Sequence, residues 1–316
     1  MPSKFLHPRF WPTWIGVAVL RLLILLPWRW QMAIGKALGI TLYQLLPARR
    51  KISCINLEIA FPELSPVELK RLNRKHFISM GRGLIEAAFG WWGSDKRIEK
   101  LAHVEGLEHL EKALEEGHVI LLGAHFSSLE VGGRILAKRM PLHVVYRPHQ
   151  NPLIEYLVAQ SRDKKYGKAI PKTNIRDMIK SIKQGYPAWY ATDQNYRAKG
   201  SLLIPFFGVK APTNPGTSRL AKMTRAKVLP NVTVRLMNDE KGRSGYLIKS
   251  LPPVENFPSD DIEQDTRRLN AVLEELIREF PDQYLWTHKR YKYYDTENKD
   301  FYQEYSQQHA DSACNQ

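Results

Sequence analysis

The chain has 316 residues, 43% hydrophobic and 25% charged, which excludes a disordered polymer and leaves room for one large α/β domain or two modest ones. Its 47 lysines and arginines against 32 acidic residues give a formal charge of +15, so an anionic partner is expected: nucleic acid, an anionic membrane surface, or an acidic protein or substrate. The two cysteines, Cys54 and Cys314, stand far apart, supply no disulfide framework or zinc pattern, and suit a reducing compartment or indifference to redox.

Residues 11–28 read WPTWIGVAVLRLLILLPW. The run is about long enough for a bilayer core, which takes roughly 20 apolar residues, and tryptophans flank it as in an interfacial belt. No small-residue cleavage site follows, so it is not a secretory signal. Arg21 near its middle would cost about 2.5–3.5 kcal/mol at the centre of a span. A span, a helix lying in the interface, and a buried core helix all remain open. Arg29, Lys36, Arg49, Arg50 and Lys51 follow it, which argues for a cytoplasmic main body.

Ser65-Pro66-Val67-Glu68 is a capping box with proline at the first helical position, and predicts a helix over 66–90. Phe77, Met80, Leu84 and Ile85 form its apolar stripe. A second helix, 107–116, ends at Gly117. Strand and helix then alternate. Strands are expected at 119–122, 142–146, 188–191, 227–234 and 246–250, and helices at 127–138, 152–164, 175–184 and 215–224, with a last one at 262–280. The pattern predicts an α/β fold with a central sheet flanked by helices. No repeat or internal linker is visible. The expected organisation is a membrane anchor over 1–32, a catalytic domain over 33–304 and a polar, disorder-like tail over 305–316.

The segment Leu121-Leu-Gly-Ala-His-Phe-Ser-Ser-Leu-Glu130 carries the sharpest chemical signal. His125 falls just past a buried strand, where open α/β sheets bind ligands, and a neutral histidine is a general base near pH 7. Glu130 could orient it and stabilise its charged form. Five positions on a regular helix turn about 140°, so the pair meets only if His125 lies in the loop and Glu130 in the first helical turn. Ser127-x-x-Glu130 is equally a capping box.

Arg147 closes the second expected strand and suits a phosphate or carboxylate, or an ordinary surface ion pair. Asn151 opens the next helix. Arg162 stands on that helix beside Lys164, Lys165 and Lys168, a phosphate-holding cluster or a solvated face. Asp193 and Gln194 follow the strand 188–191, as polar contacts for a substrate or as a turn. Residues 204–208, IPFFG, could wall an acyl tunnel or belong to the core, which is the better reading of Phe206 and Phe207. Thr213-Asn-Pro-Gly-Thr217 leads a helix whose start favours anions. Residues 284–292 interleave aromatics with bases, as in an interfacial contact. Without a helix-turn-helix, zinc-finger or ribonucleoprotein motif, no nucleic-acid partner is expected.

Together these segments resemble the late acyltransferases of lipid A biosynthesis, most nearly their lauroyltransferase branch. The likeness runs from His7-Pro-Arg-Phe-Trp-Pro-Thr-Trp14 through Asn56-Leu-Glu-Ile-Ala-Phe-Pro62, His125-x4-Glu130 and Tyr146-Arg-Pro-His-Gln-Asn-Pro-Leu153. It continues through Asp193-Gln-Asn-Tyr196, Pro205-Phe-Phe-Gly208, Gly216-Thr-Ser-Arg219 and Asp282-Gln-Tyr-Leu-Trp-Thr-His-Lys-Arg290. After Asp193-Gln194 the chain reads Asn-Tyr-Arg-Ala-Lys where relatives often carry Asp-Tyr-Gly. The resemblance implies a glycerolipid-acyltransferase-like fold, tethered by the amino-terminal helix to the cytoplasmic face of a bacterial inner membrane. It implies an acyl carrier protein thioester as donor and the Kdo-bearing tetraacyl lipid A precursor as acceptor, with no cofactor and no metal. In that reading His125 is the base, Glu130 its orienting carboxylate, and Arg162 the candidate oxyanion donor. Arg147, Asn151, Asp193 and Gln194 are left to bind substrate. The rivals are acylation of another membrane lipid and acyl hydrolysis by the same dyad.

Overall fold

The computed structural model describes residues 2–292, 300–309, 312 and 314. Two 3-10 turns, Ser3–Leu6 and Pro8–Phe10, lead into helices α1 (Trp11–Leu23), α2 (Trp28–Leu45), α3 (Pro47–Ala60), α4 (Pro66–Trp92) and α5 (Asp95–Lys100). The alternating part follows: β1 (Ala102–Glu105), α6 (Leu107–Glu116), β2 (Val119–Gly123), α7 (Leu129–Ala137), β3 (His143–Tyr146), α8 (Pro152–Lys165), β4 (Lys168–Pro171), α9 (Ile175–Lys183) and β5 (Ala188–Ala191). The hairpin β6 (Leu202–Phe206) and β7 (Val209–Thr213), α10 (Gly216–Thr224), β8 (Lys227–Met237), β9 (Ser244–Ser250), α11 (Ile262–Glu279) and α12 (Phe301–Gln308) complete it.

Seven strands make one mixed sheet in the order β1-β9-β8-β2-β5-β3-β4. Every neighbouring pair is parallel except β8 with β9. Side chains alternate along β2: Ile120 and Leu122 pack into a core shared with α3, α9, α10 and α11, whereas Val119 and Leu121 join a core with α4, α6 and α7. The expected α/β architecture is therefore present. β1 and β4 were not anticipated because each is four residues long with only partial burial, too short to show a period.

The apolar run at the amino terminus does not make one long helix. Pro27 has no N–H to continue it and sits extended as the N-cap of α2. The 13-residue α1 spans about 20 Å at 1.5 Å per residue, against about 30 Å of bilayer hydrocarbon. Among the described residues no helix is long and apolar enough to cross a membrane, so of the three readings of this run the spanning helix is not found. α1 instead exposes Trp11, Ile15, Val19 and Leu22, an apolar stripe at helical spacing, and Leu25, Leu26 and Trp30 extend it. Behind α1, α2 lies against α4 with Gly39 and Gly81 in main-chain contact, so a Cβ at either would overlap the other helix.

Two expectations at the carboxyl end also fail. Residues 301–308 are helical, capped by Asp300, and Tyr302 is buried with its hydroxyl donating to Asn56 at 2.9 Å, so a disorder-like tail does not begin at 305. Cys54 and Cys314 form a disulfide with Cα atoms 5.4 Å apart, although 260 residues separate them. The return of α12 onto α3 brings them together, and spacing alone could not reveal it.

Candidate active site

The sheet register builds the site. β2 pairs with β5 through Ile120–Ala188, Leu121–Trp189, Leu122–Tyr190 and Gly123–Ala191. Two residues beyond both strand ends, the same offset of 68 sets His125 beside Asp193. The His125 backbone N–H donates to Asp193 Oδ2 at 3.0 Å, and ring Nδ1 lies 2.7 Å from Oδ1. Asp193 is fully buried while the His125 side chain keeps 32% of its surface open. An ionised carboxylate only accepts, so Nδ1 carries the proton and Nε2 the lone pair. Among the described residues nothing bonds Nε2.

Electrostatics reinforce this pair. Burial disfavours the charged imidazolium, but the charge and hydrogen bond of Asp193 outweigh it, and the His125 pKa is raised. Burial pushes the Asp193 carboxyl up, yet the His125 ring and the backbone N–H bonds carry it below its ordinary value. The Trp189 ring meets the His125 ring edge-on at 6.4 Å. Gly123 makes that position possible, because a Cβ there would overlap the indole.

The loop holding His125 is pinned along its length. Leu285 N–H donates to His125 O at 3.1 Å and Ser127 N–H to Gln283 O at 2.8 Å. Gln283 in turn bonds both main-chain groups of Arg235. Arg235 is buried on Glu86 at 2.8 Å, and Glu86 also accepts from Ser128 at 3.0 Å. These bonds tie the turn between β2 and α7 to α4 and β8. His288 completes the surroundings: its Nε2 accepts the Asn195 N–H at 3.0 Å, and burial lowers its pKa to about 4, so it stays neutral.

Glu130 does not occupy the place expected of it. Its carboxylate takes the Arg162 guanidinium on Oε1 and the Trp91 indole N–H on Oε2 at 2.8 Å, while the Tyr166 hydroxyl donates to its carbonyl at 2.9 Å. The orienting carboxylate of His125 is Asp193, reached across the sheet, not Glu130 five residues on. The capping-box alternative fails too: α7 starts after Ser128, whose hydroxyl serves Glu86, and the buried Ser127 Oγ has no partner. Arg162 lies 5.0 Å over the Tyr146 ring; burial works against its charge, Glu130 outweighs that, and its pKa is raised. Its Nη1 is buried without a partner.

The other expected residues divide. Asp193, expected to bind substrate, instead accepts from His125 on both its oxygens. Asn151 caps α8, accepting from Leu153 N–H at 3.0 Å and donating to Thr13 at 3.0 Å, which commits it to structure. Arg147 is exposed one residue past β3, and Gln194 is half-buried beside Asp193. Phe206 and Phe207 are core. Sequence reasoning missed Trp91, Tyr166, Trp189 and His288. The placement of both residues at the carboxyl ends of expected strands was the available signal for the His125–Asp193 pair; nothing comparable pointed to the Trp91–Glu130–Arg162 set.

A histidine whose outer nitrogen is free among the described residues, backed by a buried carboxylate at the carboxyl ends of adjacent parallel strands, is an arrangement able to act as a general base. Residues 2–293 match the family model of bacterial lipid A biosynthesis acyltransferases, and the chain belongs to that family. It is 37% identical over 293 residues to the lipid A biosynthesis lauroyltransferase of Escherichia coli (strain K12), covering 92% of this chain and 94% of that one. The palmitoleoyltransferase of the same organism is 36% identical over 291 residues, with the same coverage, and the myristoyltransferase 27% over 295, covering 92% and 90%. A solved 1-acyl-sn-glycerophosphate acyltransferase of Thermotoga maritima superposes only loosely, with a TM-score of 0.37 at 14% identity over 75% of this chain and 96% of that one. The protein is an acyltransferase of lipid A biosynthesis.

Proposed function

We propose that the chain transfers a fatty acyl group, expected to be lauroyl, from the thioester of acyl carrier protein to a hydroxyl on an acyl chain of the Kdo-bearing tetraacyl lipid A precursor. The observation that carries this reading is the 2.7 Å contact between His125 Nδ1 and buried Asp193, which directs the basic Nε2 outward. Nε2 takes the hydroxyl proton as the oxygen bonds to the thioester carbon. The carbonyl π electrons move to oxygen, and Asp193 stabilises the imidazolium. The oxyanion then collapses, the C–S bond breaks, and the leaving thiolate takes the proton from Nε2. An ester and a thiol result, and His125 is restored. Arg162 Nη1, buried and unpartnered, is the candidate donor to the oxyanion. Arg147 and Gln194 are candidates for the polar groups of the acceptor.

Two features favour work at a membrane surface on the cytoplasmic side of the inner membrane. The apolar stripe of α1 fits a helix lying in the interface, and a charge of +15 suits anionic lipid and an acidic carrier protein. The test is a detergent-micelle assay with lauroyl acyl carrier protein and the Kdo-bearing precursor, read by mass spectrometry. A mass gain of one acyl chain, absent with His125→Ala, supports the reading. Free fatty acid alone indicates a hydrolase. Transfer only to a lysophospholipid or another glycolipid moves the acceptor, and equal product from both proteins removes His125 from the chemistry.

A further inference from the structure

A cleft of about 730 Å³ lies between α1, the end of α4 and α8. Its walls are apolar, formed by Leu22, Leu25, Trp92 and Leu157, while Arg21, Lys164 and Lys165 also line it. The cleft therefore sets three exposed cations beside an apolar wall. Arg21 stacks 5.0 Å over the Trp92 ring, and neither Arg21 nor Lys164 forms an ion pair among the described residues. Lys165 has only Asp95 at 3.9 Å, a carboxylate already held by Arg134.

The surroundings say how a ligand would enter and where it would lead. Leu22 and Leu25 belong both to the cleft and to the exposed apolar stripe, so the cleft opens along the face that suits lipid. On the inner side, Trp91 lines the cleft and gives its indole N–H to Glu130 at 2.8 Å. Ser161 bonds the Trp91 carbonyl and precedes Arg162. The cleft thus backs onto the Glu130–Arg162 pair.

We infer that this cleft binds a phosphorylated amphiphile, with an acyl chain against Leu22, Leu25, Trp92 and Leu157 and the phosphate held by Arg21, Lys164 and Lys165. A neutral lipid would forgo the attraction of the three cations, and an inorganic anion would leave the apolar walls wet. The occupant is the lipid acceptor of the transfer reaction, a part of the inference that rests on the function proposed above.

The probe is dodecyl phosphate below its micellar concentration, titrated into the full chain and followed by tryptophan emission, with Trp91 and Trp92 as reporters. Saturable binding, weakened by salt and about tenfold weaker in K164Q/K165Q and in R21Q, is expected. A neutral dodecyl glycoside should bind wild type and variants alike. Equal affinity of wild type and variants for dodecyl phosphate overturns the site. In the transfer assay the same variants should raise the acceptor KM several-fold at unchanged kcat, and an unchanged KM overturns the acceptor as occupant. If wild type transfers no acyl group, the proposed reaction fails, and the titration still decides the cleft.

Discussion

Asp193→Asn separates the His125–Asp193 geometry from a His125–Glu130 one. In the wild type both carboxylate oxygens accept, one from the His125 backbone N–H and one from Nδ1–H. Asparagine offers one acceptor and one donor pair in the same volume. If its oxygen faces the ring, its NH2 opposes the backbone N–H. If its NH2 faces the ring, Nδ1 must accept, the proton moves to Nε2, and the base is lost. Losing a charge-assisted hydrogen bond costs about 1.5–3 kcal/mol, or roughly one to two decades at about 1.4 kcal/mol each. With the tautomer inverted the loss should reach about 10²–10⁴-fold in kcat, the range of general-base contributions. The pH profile gives a second reading. Asp193 raises the His125 pKa against burial, so the acid limb of kcat/KM should lie above 6.5, the ordinary histidine value. Without the carboxylate, burial acts alone and the limb should move to lower pH while the plateau falls. Glu130→Gln should leave the limb in place, because that carboxylate serves Arg162 and Trp91. The reverse result, a limb shifted by Glu130→Gln and untouched by Asp193→Asn, would refute the pairing.

Three further outcomes are expected. Burial holds His76 and His288 at about 3 and about 4, so the stability they contribute is complete above pH 6.5 and is lost as pH falls toward those values. The slope is up to about 1.4 kcal/mol per pH unit for each, and urea midpoints that match at pH 7 and pH 5 would contradict it. Gly123→Ala places a methyl where the Trp189 indole lies, so overpacking of about 1–3 kcal/mol should accompany a fall in kcat, both measurable on the purified variant. Reduction of Cys54–Cys314 should lower stability by about 2–4 kcal/mol, read as a fall in the urea midpoint. Cys54→Ser should behave as the reduced wild type, and no response to reductant would show the two thiols unpaired in solution.

What the sequence made legible follows the range of each interaction. The capping box at Ser65 and Glu68, the helix Leu107–Glu116 and the strand Ala188–Ala191 depend on a few adjacent residues, and each stands where local pattern placed it. The carboxylate that backs His125 depends on pairing between strands 68 residues apart: both strands were legible, but their pairing and register, which carry the next residues into contact, were not. A motif six residues long points to Glu130 because proximity in sequence is visible and proximity across a sheet is not. Glu130 is held by side chains from α4 and α8, whose mutual placement comes from burial of many small faces and leaves no local trace. The amino-terminal run shows the opposite failure, in which composition was read over a length that one residue interrupts. Hydropathy sums apolar residues without regard to Pro27, but Pro27 has no N–H to offer the preceding turn, and α1 stops at Leu23 before α2 opens at Trp28. The stripe left on α1 then has a length and a charge environment suited to lying along a surface.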